Sequence, residues 1–156
     1  MDWRAIALLA HVLAAFWWIA GYVGTNLCTE IARRSTTDEE CRSALLISNR
    51  LDRTLNQMGG TFAGLTGLVA LVVFGYSVFT PWVAASIVLF ALVVVGGAVF
   101  WRRYGMGIDT AVAAGDWEAV RHRLREPRIV GFSRLENIAV LAIIALMVLR
   151  PGSGGS

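Results

Sequence analysis

Lysine is missing from this chain: across 156 residues, all 14 basic side chains are arginine. Charge of either sign is scarce as well, at 16% against about 25% in soluble globular proteins. With a hydrophobic fraction of 56% and a mean hydropathy of +0.62, that scarcity excludes an ordinary soluble domain. Only two cysteines occur, Cys28 and Cys41, and their spacing matches no zinc or redox motif. No phosphate-binding loop, dinucleotide fingerprint, nucleophile elbow or metalloprotease motif is present. A net charge of +3 and a pI near 9.4 would otherwise suggest nucleic acid. In a chain this apolar the basic charge points to a membrane instead, and no nucleic-acid partner is expected.

What is there is a set of long apolar runs. Crossing about 30 Å of hydrocarbon takes roughly 20 mainly apolar residues. Such runs occupy 5–27, 60–79, 82–101 and, with Arg134 and Glu136 snorkelling to the interface, 134–149. Their continuity, without period-2 alternation, predicts helices rather than barrel strands. The expected fold is all-α: a polytopic membrane protein, one four-transmembrane-helix bundle over 1–151, with amphipathic cytoplasmic helices. Thr80 and Pro81 alone separate spans two and three, as N-cap and first residue of a tight helical hairpin. The first span resembles a secretory signal in length. However, Asp2 offsets Arg4, His11, Trp17 and Trp18 interrupt the apolar stretch, and no A-x-A cleavage site follows, so it reads as a retained helix. Residues 152–156 read as a flexible tail.

Arginine is retained on the cytoplasmic side of a membrane, so its distribution orients the chain. Arg33, Arg34, Arg42, Arg50 and Arg53 lie in the first connection. Arg102, Arg103, Arg121, Arg123, Arg125, Arg128 and Arg134 lie in the second, leaving Arg4 and Arg150 on the opposite side. Both long connections are therefore expected in the cytoplasm, against an anionic inner leaflet, with both termini and the Thr80-Pro81 turn outside. The implied location is a bacterial inner membrane.

The connections carry helix signals of their own. Thr37 and Glu40 fit a capping box, followed by Ala44, Ile47, Leu51, Leu55 and Met58 at helical spacing. Asp38 and Arg42 form a favourable i,i+4 pair. Gly59-Gly60 marks a bend or a close contact. In the second connection Asp116 can cap a short helix with Trp117, Val120 and Leu124 on one face, ended by Pro127. Such a helix would lie on the inner leaflet or dock a membrane-complex partner. The small-xxx-small pairs Ala20/Gly24 and Gly60/Gly64, and Gly96-Gly97, allow close helix approach, within the chain more readily than in a homodimer. Trp3, Tyr76, Trp82, Trp101 and Tyr104 read as interfacial belt anchors.

Chemistry concentrates at few positions. His11 lies about 10 Å along the first span from Arg4, where a polar side chain is costly and turns into the bundle. It is a candidate haem or metal ligand, or a proton carrier, against the plainer reading of a histidine hydrogen-bonded to a neighbouring helix. Met147 lies at comparable depth in span four and could complete a His/Met pair, although a membrane methionine also reads as core filler. Arg134, Glu136 and Asn137 cluster at the cytoplasmic entrance of span four, and Arg50 and Arg53 approach the same end of span two. They read as an anionic-ligand pocket for carboxylates such as haem propionates, or as snorkelling side chains in which Arg134 and Glu136 neutralise each other.

Three stretches carry a resemblance. His11 with Trp18, Ala20 and Gly21, the segment Asn49-Arg50-Leu51-Asp52-Arg53 followed by Thr66-Gly67-Leu68, and Phe132 to Asn137 with Met147 to Pro151 resemble the bacterial four-helix membrane protoporphyrinogen oxidases. The outline is similar, and more closely so, to uncharacterised predicted integral membrane proteins and, more loosely, to the copper-resistance D family. The resemblance implies b-type haem at His11, with Arg50 or Arg134 near the propionates, for electron transfer or porphyrinogen oxidation. The oxidases also depend on an intramembrane lysine in helix three, which this chain lacks, so haem binding transfers more readily than the oxidase reaction. A non-catalytic accessory subunit of a larger membrane complex is the competing class, and a small-solute or metal-ion permease ranks third.

Overall fold

The computed structural model describes residues 2–150, so the expected tail at 152–156 lies outside the described residues. The helices are α1 (Trp3–Arg34), α2 (Asp38–Leu51), α3 (Met58–Phe74), α4 (Pro81–Ala91), α5 (Gly97–Ala113), α6 (Trp117–Leu124) and α7 (Pro127–Leu149). A π-helical turn, Asp52–Gln57, joins α2 to α3 without a break, and a second, Leu92–Gly96, joins α4 to α5. Four rods result: Trp3–Arg34, Asp38–Phe74, Pro81–Ala113 and Pro127–Leu149, each long and apolar enough to cross a membrane. Among the described residues there is no strand.

The first rod is 32 residues, about 48 Å at 1.5 Å per residue, well beyond the roughly 30 Å apolar layer. The rods accordingly project past that layer at the arginine-rich end, where a second core forms. One core holds Ala14, Trp18, Tyr22, Ala63, Val93, Val140 and Ile143. The other holds Ala32, Cys41, Ala44, Ile108, Ala111, Val120, Leu124 and Ile129. In the first, α1 packs chiefly on α3 and α4 on α7, and large rings bridge the two pairs. The Trp18 and Phe90 rings meet edge to face at 5.1 Å between centroids.

Glycines set the tightest approaches. A Cβ on Gly21 would stand 2.4 Å from the Asn56 backbone nitrogen, and one on Gly59 2.7 Å from the Trp18 α-carbon. Gly59 thus supplies the close contact, in a helix that continues through it. Of the expected Ala20/Gly24 pair, Gly24 does make a close approach, a Cβ there standing 3.0 Å from Leu51 Cδ1, whereas Ala20 is exposed and its neighbour Gly21 is buried instead.

Several local expectations change. Span two ends at Phe74 rather than residue 79, because Gly75 takes a left-handed conformation (φ 71°). Its N–H bonds Val72 O, and the Tyr76 N–H bonds Leu71 O, which satisfies the final carbonyls. The hairpin connection therefore runs from Gly75 to Thr80. Pro81 does open α4, but the Thr80 side chain makes no cap hydrogen bond. Thr37 caps α2 as expected, its Oγ1 accepting from the Glu40 N–H at 3.3 Å. The Glu40 carboxylate returns to the N–H of Thr36 rather than Thr37. Asp38 does not pair with Arg42; it reaches Arg121 of α6 at 2.9 Å. The buried stripe of α2 is Cys41, Ala44 and Ser48, with Ile47 turned outward, because small residues permit closer approach to α1.

The short helix α6 is built as expected, with Asp116 Oδ1 accepting from the Ala119 N–H at 2.9 Å. Its apolar face turns into the protein itself. Val120 and Leu124 are 0% and 1% exposed inside the protein's own second core, with Trp117 half-buried against it.

Candidate functional site

A groove of about 550 Å³ opens between α1 and α7 just inside the arginine-rich end. One wall repeats at helical spacing along α1, through Val23, Asn26, Leu27, Glu30 and Arg33. The other does so along α7, through Val130, Ser133, Arg134 and Asn137. Val23, Leu27 and Val130 make part of the lining apolar. Arg33 is committed elsewhere, donating from Nε to Leu124 O at 2.8 Å and pairing with Glu30. Arg134 is exposed and has no hydrogen bond or ion pair among the described residues. Asn26 donates its amide to Tyr22 O at 2.9 Å, which fixes its orientation. The groove thus offers one uncommitted guanidinium, flanking amides and an apolar wall, a combination that suits a carboxylate or phosphate attached to an apolar body. Outside the rods, Arg121 holds its proton more firmly than an ordinary arginine, chiefly through the hydrogen bond to Asp38.

His11 lies elsewhere. Its Nδ1 is 3.4 Å from Thr66 Oγ1, and its ring packs over Gly67, where a Cβ would stand 3.1 Å from Cε1. The Thr66 hydroxyl donates to Phe62 O at 2.6 Å, so it accepts from Nδ1–H and leaves the lone pair on Nε2. That tautomer suits a ligand histidine.

The structure brings together only part of the expected site. Arg134 and Asn137 share the groove with Asn26. Fifteen residues separate Asn26 from His11 on the same continuous helix, about 22 Å of rise. Arg50 is exposed on α2 and does not line the groove. One macrocycle with iron at His11 therefore cannot place its propionates on Arg134 and Asn137. Met147 packs against the core around Val140 and Ile143, on α7, whereas His11 faces α3.

Arg134 and Glu136 do not neutralise each other. They occupy different faces of α7, and no ion pair joins them. Glu136 belongs to the inward stripe Ile129, Ser133, Glu136, Val140 and Ile143, whose 4-3-4-3 spacing was the available signal for its inward placement.

Residues 5–151 match the family model described as predicted integral membrane protein (DUF2269), and the chain belongs to that family. No curated protein and no solved structure matches it. It is thus a multi-pass integral membrane protein.

Proposed function

We propose that this family member resides in the bacterial inner membrane, arginine-rich end in the cytoplasm and both termini outside, and binds an amphipathic anion in the α1–α7 groove. The observation that carries the reading is Arg134, charged and uncommitted, beside Asn137 and an apolar wall at the edge of the hydrocarbon layer. A guanidinium in that position binds a carboxylate or phosphate bidentately while the ligand's apolar body lies along Val23, Leu27 and Val130. Phosphatidylglycerol is the probe, with retention by the detergent-purified protein counted by native mass spectrometry. Arg134→Gln should weaken retention about tenfold, the scale of a lost charge-assisted hydrogen bond. Unchanged retention overturns the reading. Orientation has a separate test: cysteine placed at Thr80 should react with an impermeant thiol reagent from outside the cell, and labelling only from the cytoplasm reverses it.

A second reading rests on the His11 tautomer. Nε2, left with its lone pair, is chemically suited to ligate b-type haem, which would supply one-electron transfer when bound. Arg134, Asn137 and Arg50 do not fit as propionate anchors for that haem. Protein purified from haem-replete cells should show a Soret band that His11→Ala removes while leaving the helical circular dichroism intact. Colourless, folded wild-type protein ends this reading.

A further inference from the structure

Glu136 points into the place where all four rods meet. It lies 13 residues from Leu149, about 20 Å from the hairpin end of its rod and so within a layer about 30 Å thick. From the third rod, Gly97 lies so close that a Cβ there would stand 2.9 Å from Glu136 Oε1. From the first rod comes Tyr22, only 6% exposed. Its hydroxyl is buried and makes no hydrogen bond of full geometry among the described residues, with the Asn26 amide beside it, and the phenol interacts electrostatically with Glu136. From the second rod comes Asp52, the other acid acting on Glu136. Both Asp52 oxygens are already taken, accepting from Asn56 Nδ2 and Gln57 Nε2 at 2.7 Å each.

Nothing basic answers these groups. No arginine pairs with Glu136 or Asp52 among the described residues. A carboxylate inside a bilayer without a counter-charge is strongly unfavourable, and such residues characteristically mark ion or proton sites. The backbone is specialised here too: one π-helical turn begins at Asp52 and the other ends immediately before Gly97, and π turns recur at functional sites. The ligand set limits the cation. Among the described residues no three His, Cys, Asp or Glu side chains gather as a metal-binding group, and Asp52 is engaged. One free carboxylate with a phenol oxygen suits a single positive charge.

We propose that Glu136, assisted by Tyr22, binds an exchangeable monovalent cation, a proton or a sodium ion, at this four-rod junction. The site is separate from the α1–α7 groove and does not depend on what the groove binds.

The test uses full-length protein in liposomes and dicyclohexylcarbodiimide, a membrane-soluble reagent that adds a protonated carboxyl across its C=N bond. A new C–O bond forms, the carboxyl proton moves to nitrogen, and nothing leaves. Peptide mass spectrometry should locate the adduct on Glu136, with the labelling rate falling about tenfold per pH unit above the titration. If sodium at fixed pH slows labelling, the bound ion is sodium; if sodium has no effect while pH does, it is a proton. Tyr22→Phe, which keeps the ring and removes the hydroxyl, should shift the pH or sodium midpoint, which a purely packing role would leave in place. Glu136→Gln should abolish the adduct, and the wild-type peptide map decides the matter should that variant fail to fold. Absence of an adduct on Glu136 at every pH, or labelling indifferent to both pH and sodium, overturns the proposal.

Discussion

Around Trp18 and Ala63 the helices meet through missing side chains, whereas around Val120 and Leu124 they meet through fully buried ones. In the apolar half, Gly21 and Gly59 admit a neighbouring backbone, and the outward faces carry Leu65, Leu68, Val72 and Leu141, more than half exposed. Lipid is as apolar as those side chains, so association there depends on close packing rather than on the expulsion of water. At the arginine-rich end the same chain builds a conventional aqueous core, where burying a Leu or Ile contributes about 2 kcal/mol. Polar staples surround it: Arg33 Nε to Leu124 O, Arg125 Nε to Arg33 O and Arg121 to Asp38. One continuous set of rods is thus stabilised by two different solvents.

The contrast can be broken first at Leu124. Truncation to alanine removes a side chain 1% exposed and should cost about 3 kcal/mol. Hydrogen exchange should then rise in α6 and the end of α1 while the apolar half stays protected; uniform loss of protection would show that the two cores are one cooperative unit. Gly21→Ala should come next, at about 2 kcal/mol, because its new Cβ meets backbone that cannot swing aside. Its thermal midpoint in detergent should fall even though the substitution adds apolar surface and removes none. Gly97→Ala should cost less, since the obstructing atom is the end of the Glu136 side chain, and its effect should appear in carbodiimide labelling more than in stability. Smallest is Arg121→Ala, whose partner Asp38 is 65% exposed. The melting temperature should stay within error.

The α6 helix was fully legible in sequence, from its Asp116 cap to its Val120–Leu124 face, because capping and periodicity are local. What covers that face was not, since Ile108 and Ile129 arrive from elsewhere in the chain. The early end of span two was present as Gly75 within an otherwise uninterrupted apolar run, but hydropathy does not register backbone handedness. Asp38 has an arginine one helical turn ahead in sequence, whereas the folded chain presents it with one 83 residues away. Arg134 and Asn137 were legible as a helix-spaced polar pair at an interface. Their separation from His11 was not, because an all-helical chain states depth along a rod and leaves open which rods face one another. Glu136 was visible throughout as a charge near a helix entrance; only its place in the inward stripe distinguishes it from a snorkelling residue.

The exchange of guanidiniums between Arg33 and Arg125 bears on the order of assembly. Arg125 caps a carbonyl in the final turn of the first rod from 92 positions downstream, and Arg33 reaches the end of α6 over 91. During synthesis the first rod therefore enters the membrane with that turn unfinished, and it stays so until most of the chain has emerged. Contacts between such distant positions are slow to form. Closure of this end is accordingly a late event that reports on the completeness of the chain, and a protein truncated before residue 125 should insert its first rods yet leave α1 frayed at Arg33.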